Sequence, residues 1–364
     1  MPNKSICFIN SSKSWGGGEK WHFDNALFLA EKGYFVHVIT NINSKLYNEL
    51  TKKTNIETYS LKISNFSFVN PLRIIRLIKL FKKINPETVI INLPSDLKLM
   101  ATTSWFWKIK NIIYRRGSAI AVKNSILNQY IFKNIITRII VNSLATKQTL
   151  LQNNKTLIEE NKIKLIYNGI DLKPYLNNKT KIKTKPSEKL IIGHLGRFSK
   201  EKNQHFLLDV AHLLKKKQIP FHFVLGGHGP EFQKIKTSIE KRNLVENFTL
   251  PGFVKDTSAF MKSIDVFVLP SIWEGFGYVT VEAMAHKKPV IAFNISSNQE
   301  IVENNVTGFL TPKSDINMFA EKINYFYKHP EKIAEMGEKG KKRVIKYFNI
   351  QDRFIEFENF LNQL

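Results

Sequence analysis

The sequence predicts an α/β protein of two successive domains, each a parallel sheet with helices over both faces. Strand-like apolar runs alternate with helix-like runs along most of the 364 residues, as they do when helical crossovers join parallel strands. A polar, lysine-rich stretch, Lys173–Lys189, carries Pro174 and Pro186, lacks apolar periodicity and separates two such series. The length suffices for two ordinary domain cores.

The first series opens with the apolar segment Ser5–Asn10, followed by the glycine turn Trp15-Gly-Gly-Gly-Glu19. Glu19–Lys32 reads as a helix with Gly33 at its C-terminal cap position, and Tyr34–Thr40 as a second buried strand. Pro71–Ile84 reads as a surface helix, with Leu72, Ile75, Leu80 and Ile84 inward and Arg73, Arg76, Lys79 and Lys83 outward. Thr88–Leu93, Ile139–Asn142 and Lys164–Tyr167 are further strands. In the second series Leu190–Gly193, Phe221–Gly226, Val266–Leu269 and Val290–Phe293 are strands, and helices start near Asn203, Glu231 and Tyr278. Asn349 suits an N-cap with Asp352 in the first turn. Ile350, Phe354, Phe357 and Leu361 then form an apolar stripe that must dock. The expected division is 1–172, a linker 173–189, a second domain 190–345 and a terminal helix 346–364.

Composition narrows the class. Hydrophobic content of 43% and charged content of 23% are those of a globular protein. One cysteine, Cys7, permits no disulfide framework or cysteine-rich metal site and fits a reducing, cytoplasmic location. The N-terminal apolar run is too short for a signal peptide, and no run reaches the roughly 18 apolar residues of a membrane span. A soluble or peripheral protein is expected. The net charge of +25 is uneven: residues 1–185 hold 30 Lys/Arg against 10 Asp/Glu, and residues 186–364 hold 25 against 20. No acid stands between Asp96 and Glu159, where ten Lys/Arg occur. An anionic partner should therefore meet the first half.

Four segments of the second series carry candidate chemistry. Gly196-Arg-Phe-Ser-Lys-Glu-Lys-Asn203 supplies Arg197, a rigid donor fork, and Lys202, a flexible point charge; both suit a diphosphate. Gly226-Gly-His-Gly-Pro230 follows the next strand, and Leu250-Pro-Gly-Phe-Val254 is a short turn whose backbone can read a planar base. Glu274-Gly-Phe-Gly-Tyr-Val-Thr-Val-Glu282 holds two carboxylates separated by seven residues that include a glycine turn. A helix starting at Tyr278 there attracts phosphate, and the acids accept hydrogen bonds from sugar or ribose hydroxyls. All four segments follow strand ends, where doubly wound sheets bind ligands.

In this order, with Tyr167-Asn-Gly-Ile-Asp171 before the linker, the segments resemble the retaining glycosyltransferases of family 4 (group 1) over nearly the whole chain. The resemblance implies the GT-B fold, two facing Rossmann-like domains, with the terminal helix crossing back onto the first. It implies that Gly196, Arg197, Lys202 and Gly226 meet the donor diphosphate, that Glu282 binds the ribose, and that Glu274 lies by the transferred sugar. Gly275, Phe276, Gly277 and Tyr278 would supply amides to the donor, Phe253 would border it, and Gly17 and Gly18 would close over phosphates or acceptor. Glu274, Arg197 and Lys202 are thus the catalytic candidates. No Asp-x-Asp occurs, so cations replace a divalent metal, and no cofactor or metal is expected. The mechanism implied is front-face attack, with the leaving phosphate helping to accept the proton. One departure is Tyr114-Arg-Arg-Gly117, where many members have a histidine.

Trp105-Phe-Trp107 with Lys108, Lys110, Arg115 and Arg116 reads as an acceptor-side membrane patch, with aromatics in the headgroup region and cations on anionic lipid. The alternative is partly buried aromatics beside a solvated basic face. The partners expected are a nucleotide-sugar donor, a lipid-linked or lipopolysaccharide-type glycan acceptor and an anionic membrane surface on the cytoplasmic side. Nucleic acid is the less favoured anion. A sugar-nucleotide epimerase and a non-catalytic membrane module are the competing functions. The glutamate pair is also compatible with surface charge at a helix start, or with glycosidase carboxylates about 5–10 Å apart.

Overall fold

The computed structural model describes residues 4–176 and 188–364. They form two compact units: Met1–Asn168 with Asp352–Leu364, and Gly169–Gln351.

The first unit holds β1 (Ser5–Asn10), β2 (Phe35–Thr40), β3 (Glu57–Ser60), β4 (Thr88–Ile91), β5 (Asn111–Arg116), β6 (Arg138–Val141) and β7 (Ile163–Leu165). They lie in the order β3-β2-β1-β4-β5-β6-β7, parallel throughout. β1, β4 and β6 are rich in isoleucine and valine because helices cover both faces of a parallel sheet. Alternation sets the faces: Cys7 and Ile9 join Val89, Ile91, Ile139 and Val141 in one core cluster. Phe8 turns the other way, against Trp21 and His22. The His22 ring is buried and held well below the usual histidine pKa, first by burial and then by the Arg115 charge.

The terminal helix, Ile350–Asn362, belongs to this face. Phe354 stacks on Phe28 with centroids 4.6 Å apart, and Phe357 meets Trp21 edge-on at 5.1 Å. The Tyr34 hydroxyl donates to Asn362 across 3.2 Å. Burying each phenylalanine contributes about 1.5–3 kcal/mol, so the stripe docks as its spacing requires. Lys346 and Tyr347 belong instead to the preceding helix, Pro330–Tyr347.

The second unit holds β8 (Leu190–Leu195), β9 (Phe221–Gly226), β10 (Phe248–Gly252), β11 (Val266–Leu269), β12 (Val290–Phe293) and β13 (Gly308–Thr311). Their order is β10-β9-β8-β11-β12-β13, again parallel. Aromatic packing fills its core: Phe206 lies 4.8 Å from Phe293 and 5.2 Å from Phe319. In both sheets the chain order reverses beside the first strand, between β1 and β4 and between β8 and β11. The carboxyl ends of the strands at such a reversal are where doubly wound sheets bind ligands.

Several expectations are corrected. Pro71–Ile84 is helical throughout, but Leu77, Phe81 and Ile84 are buried while Leu72 and Ile75 are 69% and 47% exposed. The helix has more apolar residues than one stripe can hold, and packing selects the i, i+4, i+7 set. Leu250–Gly252 ends β10 rather than forming a free turn. Lys173–Leu176 is one helical turn, and residues 177–187 of the expected linker lie outside the described residues. No helix among the described residues is long and apolar enough to cross a membrane.

Candidate functional site

In the second unit the loop after β8 and the loop after β11 meet across the switch point. Asn203, in the left-handed region (φ 55°), starts the helix Gln204–Lys216 and donates from Nδ2 to the Pro270 carbonyl at 3.2 Å. The Ile272 amide donates to the Glu201 carbonyl at 2.8 Å. Pinned this way, Lys202 Nζ lies 2.5 Å from Glu274 Oε1, with side chains only 20% and 9% exposed. Gln204 Nε2 donates to the Arg197 carbonyl at 2.9 Å and lies 3.1 Å from His194 Nε2. This fixes the loop while the Arg197 side chain stays exposed. Burial holds His194 near pKa 4, against a smaller opposing effect from the Val268 carbonyl. It is therefore a neutral hydrogen-bonding prop.

The loop after β9 closes against the same place. Gly226 is buried, and the Gly196 amide donates to its carbonyl at 3.0 Å. Gly227 sits at φ 131°, and a side chain there would strike the Gly196 carbonyl, so only glycine permits this approach. His228 lies beside Phe232 with its carbonyl bonded to the Phe198 amide. After β10, Phe253 is 74% exposed.

Gly275, Phe276 and Gly277 are buried, and Gly277 (φ 79°) starts the helix Tyr278–Ala285 without a side-chain cap. The open start is what an anion requires. Two buried hydroxyls of this segment, Ser271 Oγ and Thr280 Oγ1, have no hydrogen-bond partner. Glu282 is half-buried on the helix. Its charge adds to burial in raising the Tyr175 pKa, while His286 stacks edge-on to Tyr175 at 4.7 Å. The structure thus joins Arg197, Lys202, Gly196, Gly226 and Glu274 at one crevice, with Glu282 on the helix that leaves it.

The first unit has a cavity of about 570 Å³ lined by Gly18, Asn92, Tyr114, Arg115, Arg116 and Gly117 among others. Gly17 opens the helix Gly17–Glu31. Arg115 and Arg116 end β5 and are 2% and 7% exposed. Their assignment to a surface patch is therefore a correction: a buried central strand carries both guanidinium groups inward. Arg115 donates to Asn168 Oδ1 at 2.9 Å and Asn92 Oδ1 at 3.4 Å and lies 5.1 Å over the Trp21 ring. Gly117 leaves the space that the Arg115 guanidinium fills. Asn168 and Asn92 were not singled out from sequence. The signal was the Tyr167-Asn-Gly segment, whose asparagine positions an arginine 53 residues away.

What stays on the surface is a different set. Trp105 and Phe106 are 64% and 67% exposed, and the Trp105 indole donates to the Tyr130 hydroxyl at 3.0 Å. Trp107 packs partly into the core. Lys108 is exposed, and Lys110 pairs with Glu87 at 2.9 Å. Phe66, Leu72 and Ile75 add to this surface, because the turn Ser67–Val69 and the helix Pro71–Ile84 pack on the helix Pro94–Thr103 that leads to Trp105.

Two family descriptions match the chain: Glycosyltransferase Family 4 over residues 15–174 and Glycosyl transferases group 1 over 177–343. A Staphylococcus aureus capsular polysaccharide biosynthesis glycosyltransferase is 27% identical over 92% of this chain and 91% of its own. An Escherichia coli UDP-Gal:α-D-GlcNAc-diphosphoundecaprenol α-1,3-galactosyltransferase is 30% identical over 54% of this chain and 53% of its own. Among solved structures, Anabaena HepE in complex with UDP and glucose superposes with a TM-score of 0.83 at 20% identity, covering 99% of each chain. A Rickettsia africae glycosyltransferase gives 0.85 at 22%, covering 100% of this chain and 99% of its own. The strand order, the loop constellation and these matches together show that the chain is a GT-B protein belonging to the group 1/family 4 glycosyltransferases.

Proposed function

We propose that the chain is a retaining, metal-independent glycosyltransferase. It moves a sugar from a nucleoside-diphosphate sugar to a lipid-linked or cell-envelope glycan, as a peripheral protein on the cytoplasmic membrane face. The observation that carries this reading is the Lys202–Glu274 pair at the switch point of the second sheet, with Arg197 exposed on the same loop.

In this reading the donor diphosphate draws Lys202 from Glu274 and bridges it to Arg197. Two cations then face the charge that grows as the bond from the anomeric carbon to the diphosphate breaks. The freed Glu274 carboxylate accepts hydrogen bonds from sugar hydroxyls, and Glu282 from the ribose. The acceptor oxygen bonds to the anomeric carbon on the departing face, and its proton passes to the leaving phosphate. Metal independence draws on these cations and on the lack of Asp-x-Asp. The E. coli and S. aureus relatives' names support an envelope glycan and a lipid diphosphate acceptor. The exposed Phe66, Leu72, Trp105 and Phe106 amid lysine and arginine support an anionic membrane surface.

The test incubates the protein with UDP-, GDP- and ADP-sugars and a prenyl-diphosphate-linked sugar in EDTA. Acceptor-dependent release of one nucleoside diphosphate, with the anomeric configuration kept by proton NMR, is expected. Epimerised donor with no acceptor consumed, or transfer that needs a divalent ion, would overturn the reading. Flotation with anionic vesicles, set against a salt-dependent DNA shift, tests the choice of anionic surface.

A further inference from the structure

We propose that Gln204 and His194 are positioning residues of the donor site. A relay of three hydrogen bonds, from the Val268 carbonyl to the Arg197 carbonyl, sets where the Arg197 guanidinium meets a diphosphate. This rests on the nucleotide-sugar reading and adds two residues that lie beneath the loop, 1% and 0% exposed.

The relay starts where the sheet splits. β8 and β11 pair at Ile192–Val266 and Gly193–Phe267. One residue further on the His194 ring takes over, with Nδ1 3.0 Å from the Val268 carbonyl. Its Nε2 lies 3.1 Å from Gln204 Nε2, which also donates to the Arg197 carbonyl at 2.9 Å.

Counting protons leaves one assignment. Both ends are carbonyls, which only accept. Val268 therefore requires the hydrogen on Nδ1, and Arg197 requires the amide nitrogen of Gln204 rather than its oxygen. A neutral imidazole has one hydrogen, so Nε2 is the acceptor for the second Gln204 hydrogen. An imidazolium would turn a hydrogen toward that nitrogen and break the relay. Burial, with the Lys202 charge adding to it, keeps the ring neutral against the Val268 carbonyl.

The consequence falls on Arg197. On either side of it the loop is already fixed, by the Gly196 amide on the Gly226 carbonyl at 3.0 Å and the Phe198 amide on the His228 carbonyl at 3.1 Å. Between these anchors the Arg197 side chain is exposed, and Gln204 holds its carbonyl from below. Without the Gln204 amide, His194 Nε2 is a buried acceptor with no donor. The Arg197 carbonyl then keeps only the longer contact from Ser199 Oγ, at 3.4 Å, and its peptide is free to turn toward water. A displacement of about 1 Å is enough to cost a positioned group about 10²-fold.

Imidazole nitrogen NMR on the full chain reads the relay directly. The His194 signals, identified by their loss in His194→Asn, should show a protonated Nδ1 and a bare Nε2 at neutral pH. A protonated Nε2 would overturn the relay, whatever the protein binds. Titration calorimetry with UDP, GDP and ADP then reads its role. The diphosphate that binds wild type should bind Gln204→Met and Gln204→Asn about tenfold more weakly. Adding either change to Arg197→Ala should weaken binding by less than about twofold more, because the relay acts through Arg197. Thermal midpoints establish folding, and Gln204→Asn carries the cycle if Gln204→Met is unfolded. Equal weakening in both backgrounds, as a merely structural role gives, or wild-type affinity in both Gln204 variants, would overturn the positioning role alone. No binding of any of these diphosphates to wild type would remove the donor-site reading and the positioning role with it.

Discussion

Replacing Lys202 by methionine probes the ion pair and the phosphate-binding role at once. The Nζ–Oε1 distance is 2.5 Å and the two side chains are 20% and 9% exposed. Removing one member of a buried pair costs about 3–5 kcal/mol, and an exposed pair contributes about 1 kcal/mol or less. At this intermediate exposure the loss should be about 2 kcal/mol, because Glu274 keeps a charge with no counter-ion. In a unit of this size that lowers the thermal midpoint by about 4–8 °C. Neutralising both partners, Lys202→Met with Glu274→Gln, should recover at least about half of that loss. Activity should not follow. With a phosphate-facing cation gone, kcat/KM should fall about 10²–10³-fold in the single variant and at least as far in the double. Differential scanning fluorimetry with initial-rate measurements separates the two effects. A single variant within about 1 °C and threefold of wild type would refute the pairing and the phosphate role together. A recovery of activity in the double variant would refute the phosphate role alone.

Gly227→Ala should lower stability by about 2–3 kcal/mol and abolish nucleotide-induced stabilisation, since φ is 131° and the new methyl meets the Gly196 carbonyl; thermal shift with and without nucleotide checks both. Phe357→Ala should cost about 3–5 kcal/mol, because the ring is fully buried against Trp21, and limited proteolysis should then release the terminal helix. Asp96 is buried, and burial raises its pKa from 3.8 to about 6 against opposing hydrogen bonds from Ser11. The folded state therefore holds this proton where the unfolded state has lost it, and stability falls as pH rises from about 4 to 6. The midpoint of wild type minus that of Asp96→Asn should decline across that window and level off above it.

The alternation of apolar runs with helices made the doubly wound architecture legible, and Ile6–Ile9, Val89–Ile91 and Val266–Leu269 could hardly be anything but buried parallel strands. β5 was not legible, because Asn111-Ile-Ile-Tyr-Arg-Arg116 ends in two charges that a single-sequence reading puts on the surface. Only its pairing between β4 and β6 carries them into the cavity. β3 escaped notice because an edge strand such as Glu57-Thr-Tyr-Ser60 needs no apolar run. The helix Pro71–Ile84 was visible but its buried face was not, since alternative stripes existed and only packing chose among them. In the second unit the spacing of Gly196–Asn203 and Glu274–Glu282 picked out two loops that the structure brings into contact. The contact of Lys202 with Glu274, 72 residues on, depends on strand order, which no local pattern encodes.

The central claim is that the crevice between the loops after β8 and β11 holds a nucleoside diphosphate for sugar transfer. The most direct measurement is acceptor-dependent release of nucleoside diphosphate in EDTA by wild type, Arg197→Ala and Glu282→Ala. The account predicts turnover in the wild type and losses of about 10²-fold or more in both variants. Wild-type turnover retained in both variants would contradict it.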